Sequence, residues 1–226
     1  MFTFPLLLTI YAGFTHAFEA DHLLAVSNIV SQRNNTRLSM KDGIFWGLGH
    51  ASTIFFIGVL MIVFKAGISD QYFHYFEAAV GIMLIALAVY RLVEYFRDKK
   101  IVIHAHPHSH EGHQHNHLHV HVGNKTGHRH KHTLAYGVGL VHGLAGSGAL
   151  IIIAMSQMKS PVQGLIYLII FGMGCVVGML VAAGLFSIPF SKKIIQAQSL
   201  QSVLIILTAL LCLLYGGKVF YENLLL

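Results

Sequence analysis

Four ionisable side chains crowd into residues 16–22 of an otherwise apolar stretch: His16, Glu19, Asp21 and His22. Neutral imidazole nitrogens beside carboxylate oxygens suit a borderline divalent cation such as Ni²⁺, Co²⁺ or Zn²⁺. Hard Mg²⁺ favours oxygens alone, and Cu(I) favours thiolates and thioethers, for which the candidates Met173 and Cys175 are too few. His50 and His142 add two more imidazoles, each again in apolar sequence. A lone buried histidine is ordinarily a hydrogen-bonded structural group, but four of them with Asp21 make a ligand set. Glu19 has two roles open to it, as a ligand or as a partner that orients His22 or His50.

A second constellation lies between His104 and His132, where 12 of the 17 histidines fall, largely as His-x-His. The run is internal and interrupted, unlike an expression tag. Its polar fillers and lack of an apolar period predict a flexible tether that chelates several divalent ions without choosing among Ni²⁺, Co²⁺, Zn²⁺ and Cu²⁺.

The elements that must position these groups follow from composition. Of 226 residues, 55% are hydrophobic and 11% charged, and the mean hydropathy is +0.64. A membrane-crossing helix needs about 20 mostly apolar residues. Six stretches qualify, at residues 4–29, 44–64, 76–95, 134–158, 162–190 and 199–220, and they leave no room for a soluble catalytic domain. The expected fold is therefore all-α, a polytopic membrane protein of six transmembrane helices. The first stretch lacks a basic leader and a small-residue cleavage site, so it reads as a retained helix. Cys175 and Cys212 lie in apolar segments and behave as small hydrophobes.

The net charge of +6 has a topological origin, with no need of a nucleic-acid partner. Arg33, Arg37, Lys41, Arg97, Lys99, Lys100, Lys125, Arg129, Lys131, Lys192 and Lys193 collect on one side of the six spans, against Lys65, Lys159 and Lys218 on the other. The positive-inside rule makes the first side cytoplasmic. The expectation is a multi-pass protein of the cytoplasmic membrane with both termini outside and the His-rich connection inside. An ionisable group at the bilayer centre costs about 2.5–3.5 kcal/mol even on the lenient scale. The rise of a helix puts His16 near the midplane, with Asp21, His22, His50 and His142 within about 8 Å of it. On one continuous helix His16, Asp21 and His22 point in three directions. Either the helix unwinds there, as Gly13 would permit, or some members orient others.

The chain also repeats itself at an offset of about 126 positions. Gly13-x-x-His16 matches Gly139-x-x-His142, Gly47-Leu-Gly49-His50 matches Gly172-Met-Gly174-Cys175, and Tyr90 corresponds to Tyr215. Each unit holds an odd number of spans, so the second must enter the membrane inverted, as in many secondary transporters. The predicted organisation is a three-helix repeat at 1–97, a cytoplasmic His-rich loop at 98–132, and a second three-helix repeat at 133–226.

His16-Ala-Phe-Glu-Ala-Asp21-His22 resembles the His, four residues, Asp-His signature of the nickel/cobalt transporter superfamily. Leu48-Gly49-His50-Ala-Ser52-Thr53 resembles the second signature of that family, and His142-Gly143-Leu144 with Ser147 resembles the matching segment of its compact six-helix members, among them urease-accessory-type membrane proteins. Glu19 stands where the high-affinity permeases usually have Asp. The resemblance implies metal ligation by His16, Asp21, His22 and His50, and extends to His142.

An enzyme is disfavoured, because His16-x-x-Glu19-x-x-His22 is not the His-Glu-x-x-His of zinc proteases. Haem ligation by two histidines fits poorly with the carboxylates and the chelating loop. Zinc transporters of the cation-diffusion type share six helices and a His-rich loop but usually add a soluble C-terminal domain. The expected activity is transport of nickel or cobalt, with uptake favoured over efflux or zinc transport. No cofactor is expected beyond the transported ion, and the partners are metal ions, the bilayer and, as a candidate receiver, a cytosolic metallochaperone.

Overall fold

The computed structural model describes residues 3–33, 35–64, 70–98, 101–110, 113–122, 132–145, 160–190 and 198–224. The helices are α1 (Thr3–His16), α2 (Ala20–Val30), α3 (Thr36–Ile62), α4 (Asp70–Asp98), α5 (His132–His142), α6 (Pro161–Ser187, continued by a 3₁₀ turn Ile188–Phe190) and α7 (Gln198–Leu224). Thr36–Ile62, Gln71–Arg97, Pro161–Phe190 and Ser199–Leu224 are long and apolar enough to cross a membrane. The body is thus an all-helical, multi-pass membrane protein. Of the other two expected spans, 4–29 is divided between α1 and α2, and 146–158 of the fourth lie outside the described residues.

Local chemistry sets the helix starts. Asn35 accepts the Arg37 N–H and starts α3 well ahead of its apolar run, and Ser160 caps α6 ahead of Pro161 at a position where no amide donor is needed. The break between α1 and α2 falls at residues 17–19, just beyond Gly13, which itself remains helical.

Gly13 serves close packing instead. A Cβ there would collide with Phe171 O on α6, and one on Gly174 would collide with Ile10 O on α1. On the other side of the bundle, Cβ atoms on Gly139 and Gly49 would collide with Trp46 O and Tyr136 O, pressing α5 against α3. Both pairs run parallel, because contacts advance together along each helix. Small residues drive such association where water supplies no hydrophobic force between helices. α3 runs antiparallel to α6, and α4 antiparallel to α7, where His74 Nδ1 meets Asn223 Oδ1 at 3.0 Å.

These directions define two ends. One gathers the starts of α3, α5 and α7 with the finishes of α2, α4 and α6; the other gathers the starts of α1, α4 and α6 with the finishes of α3 and α7. At the first end Arg33 donates to both Asp42 carboxylate oxygens (2.6 and 3.1 Å), and His132 Nδ1 donates to Asp42 Oδ1 at 2.7 Å. Arg91, buried in α4, donates to Ser31 Oγ and Ser31 O, fixing the finish of α2.

The His-rich connection departs from the tether expected of it. Strand β1 (Ile101–His110) pairs antiparallel with β2 (His113–Val122), setting His104, His106, His108 and His110 opposite His119, His117, His115 and His113. The two-residue alternation that reads as polar filler is also the period of a strand, and it puts these eight positions on one face of the hairpin.

Candidate metal centre

The turn at residues 17–19 solves the directional problem of the first span. Phe18 N–H and Glu19 N–H donate back to Thr15 O and His16 O, Glu19 adopts an extended backbone, and α2 restarts with Asp21 and His22 in its first turn. His16 and His22 consequently face each other, with ring centroids 4.7 Å apart. His50, at the middle of α3, joins them at 5.2 and 5.1 Å, and His142, ending α5, stacks on His22 at 4.1 Å. All six residues singled out from sequence are gathered in one place. The histidines are buried, His50 completely, whereas Glu19 is 56% exposed at the rim.

Carboxylates occupy one nitrogen on three of the four rings. His16 Nδ1 donates to Glu19 Oε1 (2.8 Å), His22 Nδ1 to Asp21 Oδ1 (3.0 Å) and His142 Nε2 to Asp21 Oδ2 (2.7 Å). Asp21 Oδ1 also accepts the His22 amide at 2.8 Å, at the positive end of α2, where a negative charge is favoured. Glu19 therefore orients His16 rather than His22 or His50. The remaining nitrogens, His16 Nε2, His22 Nε2, His142 Nδ1 and both of His50, are buried and have no hydrogen-bond partner among the described residues.

Two triads bring one donor atom from each member within 4.8 Å of one another: His16, His22 and His50; and Asp21, His22 and His142. In the second, carboxylate and imidazoles already satisfy each other. In the first, each ring carries at least one buried nitrogen without a partner among the described residues, at a cost to folding that a bound cation would remove. A carboxylate behind a ligating imidazole fixes its tautomer and raises its basicity, which is the arrangement Asp21 and Glu19 make with His22 and His16. Trp46 stacks on His22 at 6.0 Å and Phe171 lies 5.6 Å from His16, so apolar rings screen the cluster.

Residues 20–218 match the family described as cytochrome C biogenesis protein transmembrane region. Over 179 residues, 79% of this chain and 74% of the relative, the sequence is 33% identical to urease accessory protein UreH of Bacillus sp. (strain TB-90). The chain belongs to this transmembrane-region family, as a UreH-type member. It is also 28% identical over 83 residues, 35% of its own length and 24% of the relative's, to a high-affinity nickel transport protein of Cupriavidus necator (strain ATCC 17699). The resemblance to the nickel/cobalt transporter superfamily read from the residues at 16–22 and 48–53 holds. No solved structure matches the chain.

In this UreH-type chain a cavity of about 360 Å³ adjoins the cluster and is lined by residues that include Glu77 of α4 and Tyr215 of α7. Sequence reading passed over Glu77, although an ionisable residue within an apolar span is itself a signal of function. It also passed over Asp42, which carries no motif and whose meeting with His132 depends on the packing of α5 on α3.

Proposed function

We propose that this UreH-type chain carries Ni²⁺ or Co²⁺ across the cytoplasmic membrane, inward, through a site made by His16, His22 and His50. The observation that carries the reading is the gathering, at mid-depth in an apolar bundle, of three buried imidazoles that carry nitrogens without partners among the described residues and have carboxylates beside them. The names of the two relatives agree with nickel handling. Asp21 supplies counter-charge and holds His22 and His142, so His142 acts through Asp21, and Glu19 acts through His16. Three neutral nitrogens with one ionised carboxylate nearby give a borderline cation a better site than Mg²⁺ or Ca²⁺.

We read the chain as six spans in a 3+3 inverted repeat, with repeats at 1–97 and 133–226 flanking the loop at 98–132. Support comes from the helix contacts: Gly13 faces Phe171 and Cys175 as Gly139 faces Trp46 and His50, and Gly174 faces Ile10 and Phe14 as Gly49 faces Tyr136 and Leu140. Each contact maps onto its counterpart by the offset of the sequence repeat. The break between α1 and α2 then resembles the interrupted helices that form midplane sites in secondary transporters.

The excess of basic residues at the end bearing the hairpin makes that end cytoplasmic, and the termini external. An inside-negative potential favours inward movement of a divalent ion by about 4.6 kcal/mol per 100 mV. The cavity beside Glu77 reaches toward the external end, while Arg33, Asp42 and His132 join α5 to α3 at the cytoplasmic end. The hairpin histidines would receive the arriving ion and hold it for a cytosolic metallochaperone.

The test is accumulation of radioactive nickel in cells with and without the chain. Higher internal nickel in expressing cells supports uptake. Lower internal nickel would reverse the direction, and unchanged nickel and cobalt with verified membrane insertion would overturn the reading.

A further inference from the structure

Glu77 is the one carboxylate of this cavity that comes from neither the first span nor its following turn. It lies on α4, seven positions after Asp70 and so about 10 Å inward from that end of the helix. The cavity it lines is shared with Glu19, Asp21 and the Tyr215 ring of α7, and with His16 and His22. The cavity therefore joins a side that Glu77 enters from the external end of α4 to a side at mid-depth, where the imidazoles lie with Glu19 and Asp21 hydrogen-bonded to them.

Those two sides have different chemistry. Carboxylates and a phenol hydroxyl can accept hydrogen bonds from the water shell of a cation without displacing it. The imidazole nitrogens His16 Nε2 and His22 Nε2, on residues more than nine-tenths buried and without partners among the described residues, offer inner-sphere ligands instead. Glu19, Asp21 and Glu77 also concentrate negative charge within a recess walled by apolar helices, a geometry that focuses field and raises local cation concentration.

We infer that Glu77, with Glu19 and Tyr215, forms an outer station that captures the hydrated divalent cation before it sheds water to the imidazole site. This deepens the transport reading and rests on it. No bond is made or broken beyond exchange of water for nitrogen ligands, and Glu77 is required for capture from dilute solution rather than for the translocation step. Its removal should consequently change how much metal half-saturates transport, and leave the maximal rate nearly intact.

The experiment uses the full chain reconstituted in liposomes, with initial rates of Ni²⁺ movement measured across a concentration series under a fixed inside-negative potential. Glu77→Gln is expected to raise the half-saturating Ni²⁺ concentration by about tenfold, with the maximal rate within about twofold of the parent. Glu77→Asp should restore most of the affinity, because it keeps the charge. Raising ionic strength should raise the half-saturating concentration of the parent, and raise that of Glu77→Gln less steeply. If the parent protein moves nickel while Glu77→Gln shows an unchanged half-saturating concentration, or a lost maximal rate that Glu77→Asp does not recover, the outer station is overturned. If the parent protein moves no nickel, the transport reading itself fails, and the two failures are told apart by that control.

Discussion

Asp21 Oδ2 on α2 accepts a hydrogen bond from His142 Nε2 on α5 at 2.7 Å, across a separation of 121 positions in the chain. Its other oxygen takes the His22 ring and amide. One carboxylate thus joins the first half of the chain to the second and sets two imidazoles. In Asp21→Asn the amide can no longer accept from both rings, and the counter-charge is gone. Nickel flux should fall about 100-fold, at the upper end of what an orienting carboxylate contributes, with membrane insertion intact. His142→Ala leaves His16, His22 and His50 in place and should cost about tenfold. Near-normal flux in a well-expressed Asp21→Asn protein would remove Asp21 from the site.

Glycine spacing on α5 gives an internal comparison. A Cβ on Gly139 would strike Trp46 O, while one on Gly137 meets nothing within 4 Å. Gly139→Ala should force α5 away from α3, cost about 1–3 kcal/mol and disturb His50 and His142 together. Gly137→Ala should be neutral or slightly stabilising, because alanine is the better helix former. Thermal unfolding in detergent would read both, and equal effects would contradict the close packing of α3 and α5.

Asp42, 1% exposed, carries the contacts from Arg33 and His132. Asp42→Asn removes the charge that both partners face and should lower stability by about 2 kcal/mol. Arg33 is only partly buried, so water offsets some of the loss. The unfolding midpoint of the variant should fall, and an unchanged midpoint would mean that this contact contributes nothing to that end of the bundle.

The hairpin lies outside the bundle that holds the imidazole cluster. Deleting residues 104–131 should reduce the metal bound at neutral pH by several ions per chain, since this segment supplies many imidazoles to chelate divalent ions. Saturating flux should persist, with losses confined to low metal concentration. Complete loss at saturating nickel would make the loop an obligatory part of the path.

How far the sequence carried this account depends on the kind of signal. The long apolar runs of α3, α4, α6 and α7 were legible because length and composition alone specify a spanning helix. The meeting of His16, His22, His50 and His142 was legible because equal depth on different helices leaves few other arrangements. The break at 17–19 was not locatable, since Ala17-Phe18-Glu19 contains no glycine or proline; it is set by the lock of α1 on α6 and by Glu19 turning back to His16. The start of α3 at Thr36, ahead of the apolar run, depended on the Asn35 cap and on Asp42 finding Arg33 and His132, none of which hydropathy records. The hairpin escaped notice because His-x-His alternation satisfies a polar linker and a strand equally well.

On the proposed reading, three imidazoles from two spans bind one cation inside the membrane. The most direct measurement is X-ray absorption of Ni²⁺ bound to the purified protein lacking residues 104–131, which removes eleven of the twelve histidines of the His-rich run. One nickel per chain is expected, with about three imidazole nitrogens at roughly 2.1 Å, reduced in number or lost in His16→Ala, His22→Ala and His50→Ala alike. Absence of bound nickel in the loop-deleted protein, or an imidazole count that His50→Ala leaves unchanged, would contradict it.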